Sequence, residues 1–415
     1  MKRTVRQLDL AGRRVLIRAD FNVPLDDDLR ITDDRRIRQF LPTLEHIVRS
    51  GGRAILMSHL GRPGGDREKD QRFSLRPVAR QIETLTGCPC AFAPDCVGPS
   101  AEEAVVGLRD GQVLLLENLR FHKEETLIDR AAKNPGGTLT PEQDQKRDRF
   151  ARALAALGDA YVNDAFGTCH RNHVSMYDVP RLVPAGRRAM GFLVERELRY
   201  LGEALESPRR PFVAVLGGAK VSDKIAVIRG LAARVDFILV GGAMAYTFWE
   251  ASGIGVGKSL CERDKLDLAR ELIALAGPKL RLPTDSVAAV ELRAGAETRV
   301  VTGALPPELM GLDIGPETVA AYSGILRAAR TIVWNGPVGA FETPPFEAGT
   351  FALARAIAEA TDAGATSVVG GGDSAAAVER AGLSERVTHV STGGGASLQF
   401  LEGERFGPIE VLDDL

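Results

Sequence analysis

Two triple-glycine segments near the end of the sequence have the residue types best suited to chemistry. They are Gly370-Gly371-Gly372-Asp373-Ser374 and Gly393-Gly394-Gly395-Ala396-Ser397. Each follows a short run rich in β-branched or apolar residues and precedes residues that favour a helix. A strand, a glycine turn and a helix in succession leave unpaired backbone N–H groups facing an anion, with the positive end of the helix dipole behind them. The pair therefore predicts a site that holds phosphate from two directions.

Further glycine-rich turns follow predicted strands in the same half of the chain. They are Gly217-Gly218-Ala219-Lys220, Gly241-Gly242-Ala243 and Asn335-Gly336-Pro337-Val338-Gly339. Glycine allows a backbone to approach a nucleotide closely. Lys220 and Lys224 are one helical turn apart, so on a helix both ammonium groups would face one phosphate chain. Asp373 directly follows three glycines, where its carboxylate is placed to bind Mg²⁺ together with phosphate oxygens.

The first half of the chain has cations and polar residues after its predicted strands instead. The clusters are Arg18-Ala19-Asp20-Phe21-Asn22, Arg36, Ser58-His59-Leu60-Gly61-Arg62, Glu117-Asn118-Leu119-Arg120 and His170-Arg171. The guanidinium group is a planar fork that matches carboxylate or phosphate. A single arginine of this kind is more often a solvated surface residue or a structural ion pair. The recurrence of such clusters in one half indicates a basic pocket for a small anion.

Short apolar runs alternate with helical patterns throughout, which predicts an α/β fold with parallel sheets covered on both faces. The predicted strands are 15–18, 54–57, 113–116, 160–162, 212–216, 237–240, 331–334, 367–369 and 388–390. Right-handed crossovers place ligands at the carboxyl ends of such strands, and the clusters above all fall there.

The length of 415 residues exceeds what one core supports, so we expect two domains. We place the N-terminal domain at 1–188, a connecting helix at 189–206 and the C-terminal domain at 207–399. Ser207-Pro208-Arg209-Arg210-Pro211 breaks this helix before a new strand. The polar segment 127–149, which contains Asn134-Pro135-Gly136-Gly137, predicts a surface excursion.

Composition excludes several classes of protein. The net charge of −2 offers no general attraction to nucleic acid or membranes. We expect no secretory signal, since the first ten residues contain charges but no apolar region, and no apolar run approaches the roughly 18 residues of a membrane span. Five cysteines do not make a disulfide framework in a chain of this size, so we expect a cytoplasmic protein.

Two nucleotide-binding motifs fail on inspection. The segment 253–259 resembles a P-loop, but Ser252 occupies the position of its first glycine, and no strand is predicted before it. Gly370, Gly372 and Ala375 fit the looser dinucleotide fingerprint, but the next strand ends in Ser391-Thr392 rather than in an acid for a ribose. A dehydrogenase is therefore disfavoured.

Two metal motifs are incomplete. Cys88-Pro89-Cys90 with Cys96 resembles half of a metal site, but a fourth ligand at zinc-type spacing is missing. His170 and His173 lack the glutamate of a His-Glu-x-x-His helix. We interpret the cysteines as scattered thiols around a strand.

The motifs together resemble those of the phosphoglycerate kinase family, in the family's order and over nearly the whole chain. The resemblance rests on segments 18–24, 58–63, 116–121, 163–171, 217–224 and 334–337, and on both triple-glycine segments. It implies two Rossmann-like three-layer domains joined by a central helix and hinge. It also implies reversible phosphoryl transfer between 1,3-bisphosphoglycerate and ADP, which gives 3-phosphoglycerate and ATP with Mg²⁺.

The resemblance also implies residue roles. The phosphoglycerate side would comprise Asp20, Phe21, Asn22, Arg36, His59, Leu60, Gly61, Arg62, Arg120 and Arg171. The nucleotide side would comprise Gly217, Gly218, Lys220, Lys224, Gly241, Asn335, Pro337, Glu342, Gly370, Gly371, Gly372, Asp373 and Ser374, with Asp373 on Mg²⁺ and Glu342 on the ribose hydroxyls. The catalytic residues would be Arg36, Lys220, Gly372 and Gly395, with Gly394 and Gly395 meeting the transferring group. Arg36 is preferred to Arg35 because the family's arginine directly precedes the isoleucine of this helix.

The implied mechanism needs no general base, because the reacting carboxylate is already ionised near neutral pH. Positioning and charge neutralisation by Lys220, Arg36, Mg²⁺ and the helix N-termini would then suffice. We expect the two domains of a monomer to close, with hinges at 190–206 and at Ser391-Thr392. Residues from about 400 to 415 resemble the family's tail, which packs on the first domain.

Three departures from the family and two rival functions stay open. The excursion before Phe150 is longer than usual, Ala243 replaces a frequent glycine, and Cys169 replaces an alanine. Cys169 would be sensitive to oxidation if the neighbouring His170 and Arg171 lowered the pKa of its thiol. The rivals are a two-domain kinase for another carboxylate or acyl phosphate, and an inactive nucleotide-binding relative. Lys220, Arg36, Asp373 and the glycine segments argue against inactivity.

Overall fold

The computed structural model describes residues 1–66, 69–131 and 138–415. They form two compact units, of which the first comprises Met1–Glu197 and Arg405–Leu415 and the second comprises Leu198–Glu404. The first boundary lies inside a helix, Phe192–Glu206. This helix overlaps the connecting helix that the sequence predicts.

The sheet of the first unit consists of six parallel strands. They are β1 (Arg14–Ala19), β2 (Arg53–Met57), β3 (Cys90–Phe92), β4 (Val113–Leu115), β5 (Ala160–Asp164) and β6 (Arg188–Met190), in the spatial order β3-β4-β2-β1-β5-β6. The helices between them are α1 (Arg35–Arg49), α2 (Arg76–Thr86), α3 (Pro99–Val106), α4 (Leu127–Ala131), α5 (Pro141–Ala155), α6 (Val174–Leu182) and α7 (Phe192–Glu206). The apolar strand residues form the core with one stripe of α1, whose members are Ile37, Phe40, Leu44 and Ile47.

The second unit has its own six-stranded parallel sheet. Its strands are β7 (Phe212–Leu216), β8 (Phe237–Val240), β9 (Leu280–Arg281), β13 (Thr331–Asn335), β14 (Thr366–Gly370) and β15 (His389–Val390), in the order β15-β14-β13-β7-β8-β9. Its helices are α8 (Ile225–Ala232), α9 (Met244–Ala251), α10 (Leu266–Ala276), α11 (Pro316–Ala328), α12 (Ala348–Asp362), α13 (Gly372–Arg380) and α14 (Gly395–Leu401). A separate antiparallel sheet contains β10 (Asp285–Ala289), β11 (Arg299–Thr302) and β12 (Met310–Ile314), with β10 in the middle.

The predicted fold class of two parallel α/β domains is confirmed. Every predicted strand overlaps an observed one. The unpredicted strands are three short edge strands, β3, β6 and β9, and the antiparallel sheet. Polar residues such as Asp285 and Ser286 interrupt β10, and β11 is largely exposed, so neither strand has the apolar run from which the others were predicted.

The excursion at 127–149 is more regular than predicted. α4 occupies its start and α5 begins at Pro141, where Thr140 and Gln143 form a capping box. The helix buries Phe150, Ala151 and Leu154, but its first two turns are almost entirely polar and therefore show no apolar period. The Asn-Pro-Gly-Gly turn predicted at 134–137 lies outside the described residues.

The order of the strands reverses direction at one place in each sheet, between β1 and β5 and between β7 and β13. Such a switch point leaves a crevice at the carboxyl ends of the strands, because the flanking connections cross to opposite sides. Asp20 directly follows β1, and Gly217 directly follows β7 beside Asn335, the last residue of β13. None of the helices within the described ranges is long and apolar enough to cross a membrane.

The C-terminal segment belongs to the first unit and contains a partly buried ion pair. After α15 (Gly407–Glu410), Asp413 accepts hydrogen bonds from the backbone N–H, Nε and Nη2 of Arg188 at 2.8, 2.9 and 2.6 Å. Asn163 of β5 donates from Nδ2 to the carbonyl of Pro408 at 3.2 Å. Burial opposes ionisation of Asp413, but its hydrogen bonds with Arg188 lower the pKa of the carboxyl.

We predict that Asp413→Ala destabilises the first unit by about 1–3 kcal/mol, because the Arg188 guanidinium loses its partner. The control Asp414→Ala removes a carboxylate whose side chain is 73% exposed, with an expected cost below about 0.5 kcal/mol. The lowered pKa in the folded state means that this contribution is full above the unfolded-state pKa, about 4, and is lost as the pH falls through the folded-state value. Urea unfolding followed by circular dichroism measures both effects, and equal losses in the two variants would contradict the role given to Asp413.

Candidate active site

The loop after β1 brings a carboxylate and an arginine together. Asp20 is buried and forms an ion pair with Nη1 of Arg36, in the first turn of α1. Asn22 donates its backbone N–H to Oδ1 of Asp20 at 3.2 Å. The adjacent Arg35 pairs instead with Asp33 at 2.5 Å. Of the two neighbouring arginines, Arg36 is therefore the one held beside Asp20.

The loop after β2 is tied to the same residues. Asn22 accepts a hydrogen bond at Oδ1 from the backbone N–H of Gly61 at 2.8 Å, and Arg120 donates from Nη1 to the carbonyl of Gly61 at 2.8 Å. Asn118 donates from Nδ2 to the carbonyls of Leu60 and Phe73, both at 2.8 Å. Three segments that are distant in sequence are thus held side by side.

A fully buried arginine supports this group from behind. Arg18 of β1 donates from Nε to Oγ of Ser175 at 2.9 Å, and its Nη2 lies 3.9 Å from Oε1 of buried Glu125. The same Nη2 lies 3.3 Å from Nδ1 of His59. Burial, together with the charges of Arg18 and Arg120, holds the pKa of His59 well below its usual value, so the imidazole is neutral near pH 7.

Asp129 binds Arg171, the last of the predicted substrate-side arginines. The sequence did not predict a role for Asp129. Its Oδ2 accepts a hydrogen bond from Nη1 of Arg171 at 2.9 Å and lies 3.0 Å from Nε2 of His173. Burial opposes ionisation of Asp129, but these partners outweigh it and lower its pKa to about 2. Asp129 lies in α4, within the excursion, where no family motif drew attention to it.

Burial and the repulsion between positively charged side chains of this site lower the pKa values of Arg120 and His170. Burial and then the charge of Arg18 lower the pKa of Arg120 to about 10, and Arg171 contributes in the same direction. Burial and Arg171 lower the pKa of His170 to about 4. Such crowding is relieved when an anion binds, which is the chemistry that this arrangement supports.

Three further residues of the predicted substrate side, Phe21, Leu60 and Arg62, differ from one another in exposure. Phe21 and Leu60 are buried, and the ring of Phe21 packs edge-on against Phe40 at 5.2 Å. They position the neighbouring polar groups by packing. Arg62 is exposed, and within the described parts of the chain its guanidinium makes no ion pair or hydrogen bond.

The glycine turns of the second unit pack backbone against backbone at the switch point. Gly217 donates its N–H to the carbonyl of Asn335 at 2.9 Å, and Gly218 donates to the carbonyl of Pro337 at 3.0 Å. A Cβ added at Gly217 would overlap that Pro337 carbonyl oxygen. Gly241, after β8, donates its N–H to the carbonyl of Leu216 at 2.9 Å. Only residues without side chains permit this approach.

Lys220 and Lys224 are not on one helical face as we expected. α8 begins at Ile225, so both lysines precede it in an irregular turn. Lys220 is exposed, whereas Lys224 is buried and donates from Nζ to Oδ1 of Asn335. Burial lowers the pKa of Lys224 against the opposing effect of Asp223 and Asp373. The prediction failed because the turn is fixed from outside, through Ser222, which donates from Oγ to Glu262 at 2.6 Å.

The first triple-glycine segment has the predicted strand, turn and helix. Gly370 ends β14, Gly371 caps α13 with a φ of +94°, and Gly372 begins the helix. A positive φ of this size strains residues other than glycine. Asn335 donates from Nδ2 to the carbonyl of Gly370 at 2.9 Å, and Ser374 accepts at Oγ from the N–H of Gly336 at 2.6 Å. The loops after β13 and β14 therefore form one surface.

The predicted metal and ribose residues are exposed at this surface. Asp373 lies in the first turn of α13, and its charge acts on buried Lys224. An exposed carboxylate beside a helix N-terminus fits the oxygen ligands that Mg²⁺ requires. Glu342 is exposed in the loop after β13, where no contact in the described chain assigns it a role.

The second triple-glycine segment is held by two serines. Ser391 and Ser397 lie 2.6 Å apart through their hydroxyl oxygens, and Ser391 accepts at Oγ from the N–H of Gly393 at 3.0 Å. Gly394 caps α14, which begins at Gly395 and is only seven residues long. The predicted strand and helix on either side are both present.

Cys169 is not the reactive thiol that its neighbours suggested. It is fully buried, and its Sγ lies 3.4 Å from the carbonyl of Ala165 and 3.7 Å from Nδ2 of Asn163. Burial raises the pKa of the thiol far above its usual value, and it outweighs the opposing hydrogen bond with Asn163 and the charge of Arg18. The condition for the oxidation hypothesis, a lowered pKa of this thiol, is therefore not met.

Comparison with known proteins assigns the family. A family model described as phosphoglycerate kinase matches residues 5–404. The chain is 49% identical over 417 residues to the phosphoglycerate kinase of Chlorobium limicola, covering 100% of both chains. This chain belongs to the phosphoglycerate kinase family. It is also 51% identical over 417 residues to the phosphoglycerate kinase of Rhodopirellula baltica, covering 100% of this chain and 99% of that one.

Solved structures of phosphoglycerate kinases have the same fold. The phosphoglycerate kinase of Coxiella burnetii superimposes with a TM-score of 0.83 at 38% identity, covering 99% of this chain and 98% of that one. The enzyme of Pyrococcus horikoshii has a TM-score of 0.81 at 31% identity, with the same coverage. The predicted family, and with it the predicted phosphotransferase activity of a phosphoglycerate kinase, are confirmed.

We predict that Gly217→Ala destabilises the second unit by about 1–3 kcal/mol, because the new methyl group meets backbone that cannot rotate away. Gly372→Ala is the matched control, since nothing lies within 4 Å of a Cβ there, and its expected effect on stability is within about 0.5 kcal/mol. Both tryptophans, Trp249 and Trp334, lie in the second unit, so fluorescence-detected urea unfolding reports on it. Equal stability of the two variants would show that the Gly217 contact is not restrictive.

Proposed function

We propose that this chain transfers a phosphoryl group reversibly between 1,3-bisphosphoglycerate and ADP, giving 3-phosphoglycerate and ATP in glycolysis. The first unit binds the phosphoglycerate, and the second binds the nucleotide. The family assignment supports this reaction over a kinase for another carboxylate and over an inactive relative.

The observation that carries the residue roles is the group of cations at the carboxyl ends of β1, β2 and β4. Burial, and then the charge of Arg18, lower the pKa of Arg120 to about 10, so a bound anion would stabilise the charged form of this guanidinium. We propose that Arg62, Arg120 and Arg171 bind the phosphate of the substrate, and that Asp20, Asn22 and His59 orient its polar groups. Arg36 neutralises the reacting carboxylate while its ion pair with Asp20 holds it in place.

The second unit supplies backbone N–H groups and two lysines of different kinds. We propose that exposed Lys220 contacts the transferring phosphoryl group, because no partner in the described chain competes for its ammonium group. Buried Lys224 instead keeps Asn335 in place between the loops after β13 and β14. Gly217, Gly218, Gly241, Pro337 and the segment 370–374 surround the nucleotide, with Glu342 on the ribose and Gly395 beside the phosphoryl group.

The chemistry requires little more than positioning. A carboxylate at neutral pH is already a nucleophile, so no proton needs to be removed. The lowered pKa values of buried His59 and partly buried His170 keep both imidazoles neutral, in a hydrogen-bonding role. Asp373 would hold the Mg²⁺ that accompanies the nucleotide, and this ion would neutralise phosphate charge. Because the two substrates are assigned to different units, hinge bending at 190–206 and Ser391-Thr392 stays our prediction. A cytoplasmic monomer also stays a prediction, which light scattering tests in part.

We predict that the protein converts 3-phosphoglycerate and ATP in a coupled assay, and that Lys220→Ala lowers kcat about 100-fold or more, because a preorganised charge next to the transferring group is lost. Arg36→Ala is expected to lower kcat/KM for phosphoglycerate by a similar factor. The matched controls are Arg35→Ala, whose arginine pairs with Asp33, and Lys258→Ala, whose lysine belongs to the P-loop-like segment that follows a helix instead of a strand. Both controls should retain activity within about threefold.

No turnover by the wild type would refute the proposed function. Full activity of Lys220→Ala or Arg36→Ala would refute the role of that residue alone. Equally large losses of activity in Arg35→Ala and Lys258→Ala would show that activity depends on the total positive charge rather than on Arg36 and Lys220 in particular.

We predict that Asp373→Asn raises the Mg²⁺ concentration needed for half-maximal activity at least tenfold, since one charged oxygen ligand becomes neutral. Glu379→Gln, on the same helix, is the control and should leave the Mg²⁺ dependence unchanged. An unchanged Mg²⁺ titration for Asp373→Asn would assign the ion to other ligands.

A further inference from the structure

Asp95, Cys96 and His122 offer one ligand atom each, and the three atoms lie within 4.8 Å of one another. Asp95 and Cys96 belong to the loop after β3, and His122 follows a short 3-10 turn, Leu119–Phe121. We propose that these three side chains bind one divalent transition-metal ion, of which Zn²⁺ fits the ligands best. The site is separate from the oxygen-lined Mg²⁺ position proposed at Asp373 and does not depend on the catalytic proposal.

The ligands are held towards a common point before any ion binds. The ring of His122 stacks on Phe150 with centroids 5.2 Å apart, and its Nε2 lies 2.6 Å from Oδ1 of Asp95. Cys96 donates its backbone N–H to the same Oδ1 at 2.7 Å. These contacts fix the imidazole and the carboxylate next to the thiol, and an ion entering between them needs only a small separation of Nε2 and Oδ1 to reach usual bond lengths.

The electrostatic environment favours a cation at this point. Cys96 is fully buried, which has the largest effect on its thiol, and Asp95, Glu125 and Glu117 add negative charge near its sulfur. Asp95 and His122 keep 24% and 26% of their side chains exposed, so the site opens to solvent on one side. A divalent ion can enter there and offset the surrounding carboxylates.

The donor set selects the class of ion. A thiolate, an imidazole and a carboxylate suit Zn²⁺ or Co²⁺, whereas Mg²⁺ and Ca²⁺ prefer oxygen alone. Binding replaces the proton on Sγ of Cys96, which passes to solvent, and neither the metal nor the sulfur changes oxidation state. Three protein ligands leave the fourth tetrahedral position to water.

This cluster differs from the cysteine motif considered in the sequence. The thiols of Cys88 and Cys90 are not among its ligand atoms in the described chain, and Cys88 is exposed. The partners of Cys96 are Asp95, its neighbour in the sequence, and His122, which lies two residues after Arg120. An ion bound there would link the loop after β3 to the loop that carries Arg120.

Cobalt titration tests the proposal, because a thiolate bound to Co²⁺ produces a charge-transfer absorption band. Chelator-treated, full-length protein with all cysteines reduced is expected to bind one equivalent of Co²⁺ with this band, and one equivalent of Zn²⁺ should abolish it. Cys88→Ser is the matched control and should keep the band. Cys96→Ser and His122→Asn should lose it, with at least a tenfold weaker affinity for the metal.

Asp95→Asn provides a second, partly exposed position in case Cys96→Ser fails to fold, and circular dichroism checks the fold of each variant. Loss of the band in His122→Asn with retention in Cys88→Ser supports the site. Absence of the band in the wild type, or its persistence unchanged in folded His122→Asn and Asp95→Asn, overturns it.

Discussion

The feature on which the candidate binding region of each unit depends is that parallel strands end at a common edge. After each parallel strand the chain crosses back to the other end of the sheet before the next strand begins. The loops after β1, β2 and β4 therefore lie at one edge of their sheet, and those after β7, β13 and β14 lie at one edge of theirs. Asn22, Gly61 and Arg120 are therefore hydrogen-bonded neighbours although they are far apart in the chain. At the switch point of the second unit the constraint is stricter, because Gly217 and Pro337 approach so closely that no side chain fits between them.

Concentrating cations at such an edge has an electrostatic cost, and buried carboxylates offset part of it. Glu125 lies near Arg18, Asp20 pairs with Arg36, and Asp129 holds Arg171 together with His173. The offset is incomplete, since burial and Arg18 still lower the pKa of Arg120 to about 10. The remaining positive potential is the basis on which we propose that the first unit binds a small anion.

Glycines that form the turn between a strand and a helix were predictable from the sequence. Gly370 is the last residue of β14 and Gly371 directly precedes α13, so the strand and helix patterns on either side were enough to predict the turn. Arg120 could be named as a candidate because it follows a predicted strand within a family motif, and Arg36 because it directly precedes the isoleucine of its helix as the family's arginine does. Asp129 was not found, because its role depends on reaching Arg171 from an excursion without a motif. The antiparallel sheet was missed because its strands lack the continuous apolar runs of buried parallel strands.

The sequence by itself determined the central parallel strands, the glycine turns, the family and the types of residue that follow these strands, because they depend on local pattern and residue order. Only the tertiary structure decided the state of individual groups. Cys169 directly precedes His170 and Arg171 in the sequence, but burial raises the pKa of its thiol. Lys220 and Lys224 have the spacing of one helical turn, yet Lys220 is exposed and Lys224 is buried against Asn335. Desolvation and long-range contacts set these properties, and both depend on which surfaces the fold covers.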